Sequence, residues 1–168
     1  MFEVSYNELS RQIEADKITV QRYIDLLEKS FVIFRLRSFS RNLRNELKKS
    51  TKIYFWDNGI RNAVINNFSV LNLRQDKGKL WENFLVSERI KSNFNKNRLV
   101  KSYFWRTLQK QEIDYIEEEN GKINAYEFKW NTKAKRTTPP SFQETYSSAV
   151  SVVNPENYIE FLTQKEIT

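Results

Sequence analysis

The sequence predicts an α/β chain built as two modules, and three observations carry that prediction. Residues 5–30 show helical spacing, followed by two alternating strands that flank a basic loop. A long mixed helix then precedes three strands, a helix and a strand, the order α-β-β-β-α-β of an α/β sandwich, and a last helix follows. Between the two patterns lies a polar, turn-like stretch. The predicted divisions are a first module over 1–66, a linker over 67–77 and a second module over 78–168.

Ser5 is placed to cap a first helix, with Glu8 at the capping-box position and Val4 available to pack against it. Leu9 and Ile13 supply its apolar stripe, and residues 14–17 read as a short turn. Thr19 then opens a second helix in which Val20, Tyr23, Ile24 and Leu27 recur at helical spacing. Two short helices joined by a tight turn form a helix-turn-helix. On the outward face of the second, Gln21 and Arg22 suit base edges, whereas Asp25 and Glu28 would repel phosphates. The pair therefore reads either as a DNA reader or as a protein-docking unit. Phe31–Arg37 and Lys52–Trp56 are strands, and with the basic loop 38–51 as a wing they complete a winged helix-turn-helix. Asp57, before Asn58-Gly59, reads as the cap of a further helix.

The second module opens with a helix from Gly78 to about Asn93 that mixes an apolar stripe with charges. Strands follow between Ser102 and Trp130, with a hairpin at Asn120-Gly121. A basic run of Lys129, Lys133, Lys135 and Arg136 ends at Pro139-Pro140. A helix 141–149, a strand 150–153 and a helix 155–162 close the chain.

Composition excludes several chemistries. The 168 residues contain no Cys and no His, which removes disulfides, thiol nucleophiles, thiolate zinc sites and the commonest general base. Any metal must be held by oxygen, which favours Mg²⁺, Mn²⁺ or Ca²⁺. Only 3 Gly are present, and neither G-x-x-x-x-G-K-[ST] nor G-x-G-x-x-G occurs, so no nucleotide is expected at such a loop. No signal peptide and no long apolar run is present, so the expected location is cytoplasmic, with no membrane contact. The net charge of +7 is concentrated between Phe31 and Lys52. There Arg35, Arg37, Arg41, Arg44, Lys48, Lys49 and Lys52 stand against Glu46 alone. Such a patch suits phosphate, with DNA favoured, or an acidic partner.

The residues that could carry chemistry lie around Ser102–Trp130. Ile123, Ala125, Glu127 and Lys129 share one strand face, while Asn124, Tyr126, Phe128 and Trp130 share the other. A Glu and a Lys pointing together from an apolar strand are either an ion pair on a half-exposed edge or part of a site. The hairpin brings Asp114 of E-I-D-Y-I beside Glu127, and paired carboxylates are relieved by a divalent cation. Asp114 and Glu127, with the carbonyl of Phe128, are expected to hold Mg²⁺ or Mn²⁺, and Glu82 on the preceding helix to complete the shell. Lys129 is expected to orient the attacking water or stabilise charge on a scissile phosphate. Lys133, Lys135 and Arg136, with Gln21, Arg22, Arg41, Arg44, Lys48 and Lys49, are the candidate nucleic-acid contacts.

The pattern E…D…E-x-K on α-β-β-β-α-β resembles the PD-(D/E)-x-K nucleases, shared by restriction endonucleases and Holliday junction resolvases. Ile113 stands where the Pro of that signature would be. A wider resemblance covers nearly the whole chain. S-Y-N-E-L-S (5–10), T-V-Q-R-Y-I-D-L-L-E (19–28), K-I-Y-F-W-D-N-G-I-R (52–61), G-K-L-W-E-N-F-L (78–85), Y-F-W-R-T (103–107), E-I-D-Y (112–115) and Y-E-F-K (126–129) carry it. In this order they resemble the C-terminal region of a prokaryotic family of AAA+ P-loop ATPases. There an ATPase module precedes a winged helix and a nuclease-like domain of unknown function. The resemblance implies a restriction-endonuclease-like second module, an ATPase module as partner in a longer protein, and this chain as its C-terminal portion. Two functions follow as expectations: Mg²⁺-dependent hydrolysis of DNA phosphodiesters, or a non-catalytic DNA- or protein-binding module of the ATPase.

Overall fold

A computed structural model describes residues 2–3, 5–41, 50–134 and 138–163. Arg44, Lys48, Lys49, Lys135 and Arg136, five of the candidate nucleic-acid contacts, lie outside the described residues. The strands are β1 (Phe2–Glu3), β2 (Ile33–Ser38), β3 (Thr51–Phe55), β4 (Lys101–Arg106), β5 (Glu112–Glu119), β6 (Lys122–Phe128) and β7 (Val150–Val153). The helices are α1 (Tyr6–Gln12), α2 (Lys17–Lys29), α3 (Asn58–Val64), α4 (Lys77–Asn95), α5 (Pro140–Tyr146) and α6 (Tyr158–Thr163). All described strands join one seven-stranded mixed sheet in the order β1-β3-β2-β4-β5-β6-β7. Most neighbours are antiparallel; β2–β4 and β6–β7 are parallel.

The local signals explain most boundaries. The Glu8 N–H donates to Ser5 Oγ at 3.4 Å, and Asp57 Oδ1 accepts from the N–H groups of Gly59 and Ile60 at 2.6 and 3.1 Å. The start of α2 differs from expectation. Asp16, not Thr19, is its cap, because one carboxylate oxygen accepts from both Ile18 and Thr19 N–H at 2.9 Å while the other takes the Thr19 hydroxyl. A carboxylate satisfies more of the orphan amides than a hydroxyl can, so the helix begins two residues earlier. At the β5–β6 turn, Asn120 and Gly121 both have positive φ, 51° and 80°, the geometry of a two-residue hairpin loop. α5 ends at Tyr146 rather than near 149, because Ser147 turns into the left-handed region at φ 49°.

Helices cover both faces of the sheet. On one, Trp81, Leu85 and Val86 of α4 and Phe161 of α6 pack against Phe34, Leu36, Tyr54, Phe104, Tyr115, Phe128 and Val153. On the other, Phe142 of α5 packs against Trp105, Ile113, Ile116 and Ala125. Val20 and Ile24 of α2 pack against Ile33 at the hairpin end. Residues 67–77 include one 3-10 turn, Leu71–Leu73, and are pinned by ion pairs. Arg61 and Arg74 both hold Asp76 and keep its carboxyl well below the usual range, and Arg74 also donates to the Asn67 carbonyl at 2.8 Å. Among the described residues no helix is long and apolar enough to cross a membrane.

Candidate functional site: a charge cluster under α4

A bulge in β5 creates the site. Tyr103 pairs with Ile116 and Trp105 with Ile113, so Asp114 and Tyr115 together oppose the single residue Phe104. The extra residue leaves Ile113 and Ile116 on the α5 face and Tyr115 on the α4 face. It also removes Asp114 from the ladder. Beyond the Tyr115–Tyr126 pair the β5–β6 register ends, and the Phe128 N–H donates to Asp114 Oδ2 at 2.9 Å instead.

Around Asp114 the fold gathers the other charges. Glu127 on β6 is 2% exposed and accepts from Lys129 Nζ at 2.7 Å. Glu82, in the first turns of α4, is buried and accepts from the Tyr54 hydroxyl at 2.8 Å and from Lys52 Nζ at 3.4 Å. Lys52, 1% exposed, also pairs with Glu112 at the start of β5 and lies 4.9 Å from the Phe104 ring centre. The electrostatics follow from this crowding. Burial first, then the carboxylates of Glu82 and Glu127, push the Asp114 carboxyl up to about 8, against the opposing pull of Lys52 and the Phe128 amide. Burial works to lower the Lys52 ammonium, but Glu82, Glu112 and Asp114 outweigh it and raise it. Burial, reinforced by the Glu82 charge and hydrogen bond, holds the Tyr54 hydroxyl well above its ordinary value. Four carboxylates, Glu82, Glu112, Asp114 and Glu127, thus gather with Lys52 and Lys129, and Arg106 lies 3.7 Å from Glu112.

The structure thus brings Glu82, Asp114, Glu127 and Lys129 to one region. Among the described residues, however, no three acidic side chains converge closely enough to hold a cation between them. Sequence reasoning missed Lys52, Tyr54 and Glu112. Lys52 was counted in the basic patch, yet its strand carries the same signal as Glu127: Lys52, Tyr54 and Trp56 alternate onto one face of an apolar run. Arg35, also counted there, is held by Glu28 and by Asp25 at 2.8 Å, so the two acids expected to repel phosphate neutralise a neighbour instead. Arg41 meets Glu118 at 2.6 Å, near the hairpin end of β5 and away from Asp114. Gln21 and Arg22 are exposed on α2, and Lys133 is exposed in the turn after β6.

Comparison with known proteins gives two family matches. Residues 3–71 match a domain of unknown function, DUF8612, and residues 77–167 match a domain of unknown function, DUF4143. Among curated proteins, an uncharacterized protein of Mycobacterium bovis and one of Mycobacterium tuberculosis are each 30% identical over 145 residues. The match covers 85% of this chain and 31% of theirs, so the chain spans about a third of the length of these relatives. No solved structure matches. The match over 77–167 takes in α4, the bulged strand and the E-x-K strand, and with it the chain belongs to the DUF4143 family, whose domains typically occur with AAA ATPase domains.

Proposed function

We propose that this chain is a winged helix-turn-helix joined to a PD-(D/E)-x-K nuclease-like domain, and that the α4 cluster hydrolyses DNA phosphodiesters with Mg²⁺ or Mn²⁺. One observation carries the reading: the Asp114 carboxyl is driven up to about 8 by burial and by two neighbouring carboxylates. Desolvation together with specific charge partners marks a candidate functional group, and buried carboxylates crowded together are what a cation relieves. The donor set fits a hard cation, because Mg²⁺ is commonly held by one or two carboxylates, with water and substrate phosphate supplying the remainder. Asp114 and Glu127 would hold it. When bound, such a cation supplies a water of lowered pKa and offsets charge on the phosphate.

The chain's own residues do the rest. The Phe128 N–H fixes the Asp114 carboxylate, and burial of Glu127 restricts its rotation. Lys129, a third exposed at its side chain, presents an ammonium from the same strand face to a phosphate oxygen or to the attacking water. Glu82 is positioned by Tyr54 and Lys52 and would accept a hydrogen bond from water at the site. A direct test incubates DNA duplexes and branched substrates with Mn²⁺, comparing the wild type with Asp114→Asn and Glu127→Gln. Cleavage by the wild type alone is expected, and equal cleavage by all three, or by none, overturns the proposal.

A second reading has its own support. Glu127 is met by Lys129 and Glu82 by Lys52, so the fold offsets much of its own charge without a ligand. On that reading the chain is a non-catalytic DNA- or protein-docking module of an AAA ATPase. DNA affinity that survives both substitutions and falls steeply with salt would favour DNA docking; no affinity at low salt would favour a protein partner.

A further inference from the structure

The fold drives one cation of its own into the carboxylate cluster. Lys52 is 1% exposed, pairs with Glu112 and lies 3.4 Å from Glu82 Oε1, and the Asp114 charge helps to hold its ammonium protonated. Its Nζ also stands 4.9 Å from the ring centre of Phe104, the residue opposite the Asp114 bulge. An ammonium removed from water persists only where acids offset its lost hydration, and here three do so. Lys129 differs: it meets Glu127 from a side chain that is 33% exposed. With Lys52 in place, no three acidic side chains among the described residues converge closely enough to share a metal ion. The cation and the acids also come from different parts of the chain. Lys52 lies on β3 within the 3–71 family span, whereas Glu82, Glu112 and Asp114 lie within 77–167.

We propose that Lys52 is a built-in counter-ion that competes with a divalent cation for the Glu82–Asp114 side of the cluster, so that the first family span sets the metal affinity of the second. The inference rests on the proposed cation at Asp114 and Glu127 and deepens it. Its physical basis is repulsion. An ammonium and a divalent cation a few ångströms apart in a poorly hydrated region oppose each other, and a carboxylate shared between them serves each less well. Entry of the metal ion therefore loosens Lys52 from Glu82, while Glu112, a quarter exposed at its side chain, remains as the ammonium's partner. Lys52 is a positioning residue, because it acts through the carboxylates.

The test titrates Mn²⁺ into the wild type, Lys52→Met and Lys52→Arg by calorimetry, with thermal melts across the same Mn²⁺ range. Lys52→Met removes the charge and keeps an unbranched stem, and Lys52→Arg keeps the charge. Without metal, Lys52→Met is expected to melt below the wild type. It should bind Mn²⁺ roughly ten-fold tighter or more and regain stability as Mn²⁺ rises, with Lys52→Arg near the wild-type affinity. A merely structural lysine gives the lower melting temperature alone, so equal or weaker Mn²⁺ affinity in Lys52→Met overturns the inference. Equal tightening in Lys52→Arg also overturns it, because side-chain shape rather than charge would then be responsible. Should Lys52→Met not fold unaided, Mn²⁺-dependent refolding read by circular dichroism supports the inference, and its failure overturns it. The two proposals fail separately. Tighter Mn²⁺ binding in Lys52→Met with no DNA cleavage by any of the proteins leaves the counter-ion standing and removes the nuclease. Cleavage by the wild type with unchanged affinity in Lys52→Met removes the counter-ion alone, and no Mn²⁺ binding by any of them overturns both.

Discussion

Asp114 and Glu117 lie three residues apart on β5, and their surroundings differ in kind. Glu117 is fully buried and saturated. Arg89 grips it through two hydrogen bonds of 2.8 and 2.6 Å, Asn93 donates at 2.6 Å and the Tyr115 hydroxyl at 3.3 Å. Asp114 has one amide donor and stands among carboxylates that share their ammonium groups with others. A buried charge is therefore no sign of function by itself. What separates the two sites is the ratio of donors to acids: a matched group is architecture, and an unmatched one is where the proposed cation would act.

The largest effect should come from breaking the matched site. Arg89→Ala leaves Glu117 buried without its guanidinium and is expected to cost about 3–5 kcal/mol, read by urea denaturation. Should the loss fall below about 1 kcal/mol, the contrast between the two acids would lose its basis. At the unmatched site the expectation reverses. Asp114→Asn should leave stability at neutral pH unchanged or raised while removing Mn²⁺ binding.

The pH dependence gives the next effect. Because the folded-state value of Asp114 lies above its unfolded value of 3.8, its contribution to stability is fully present below pH 4 and is lost as pH rises to about 8. Wild-type stability should therefore fall relative to Asp114→Asn across that window, by at most about 1.4 kcal/mol per pH unit. Parallel curves for the two proteins in thermal melts would break the comparison. Tyr54→Phe comes third: it removes a hydrogen bond to buried Glu82, with an expected cost of about 1.5–3 kcal/mol at neutral pH by chemical denaturation. Arg35→Ala should matter least, below about 1 kcal/mol and shrinking in high salt, because its pairs with Asp25 and Glu28 are partly exposed.

Local chemistry was legible in the sequence, and long-range electrostatics was not. The caps Ser5 and Asp57, the Asn120-Gly121 hairpin and the strand 150–153 depend on neighbours within a few positions, and each stands where the residues predict it. The shared face of Glu127 and Lys129 follows from strand alternation alone. The Asp114 bulge breaks that alternation, and only the β4 register reveals it. Lys52 looked like surface charge because its partners, Glu82 and Glu112, come 30 and 60 positions later. Arg89 and Glu117 are 28 apart, and no local pattern joins them.

The parallel pairing of β2 with β4 has a practical consequence for dissecting this chain. The two family spans, 3–71 and 77–167, invite a cut between them. Such a cut would strip β4 of β2, one of its two neighbours, and leave that side of its backbone as a raw edge, a template for self-association. It would also carry away Lys52 and Tyr54, so Glu82 would lose the groups that hold it. A fragment beginning at α4 would thus be adhesive and electrostatically altered, and an inactive fragment would say nothing about the intact protein.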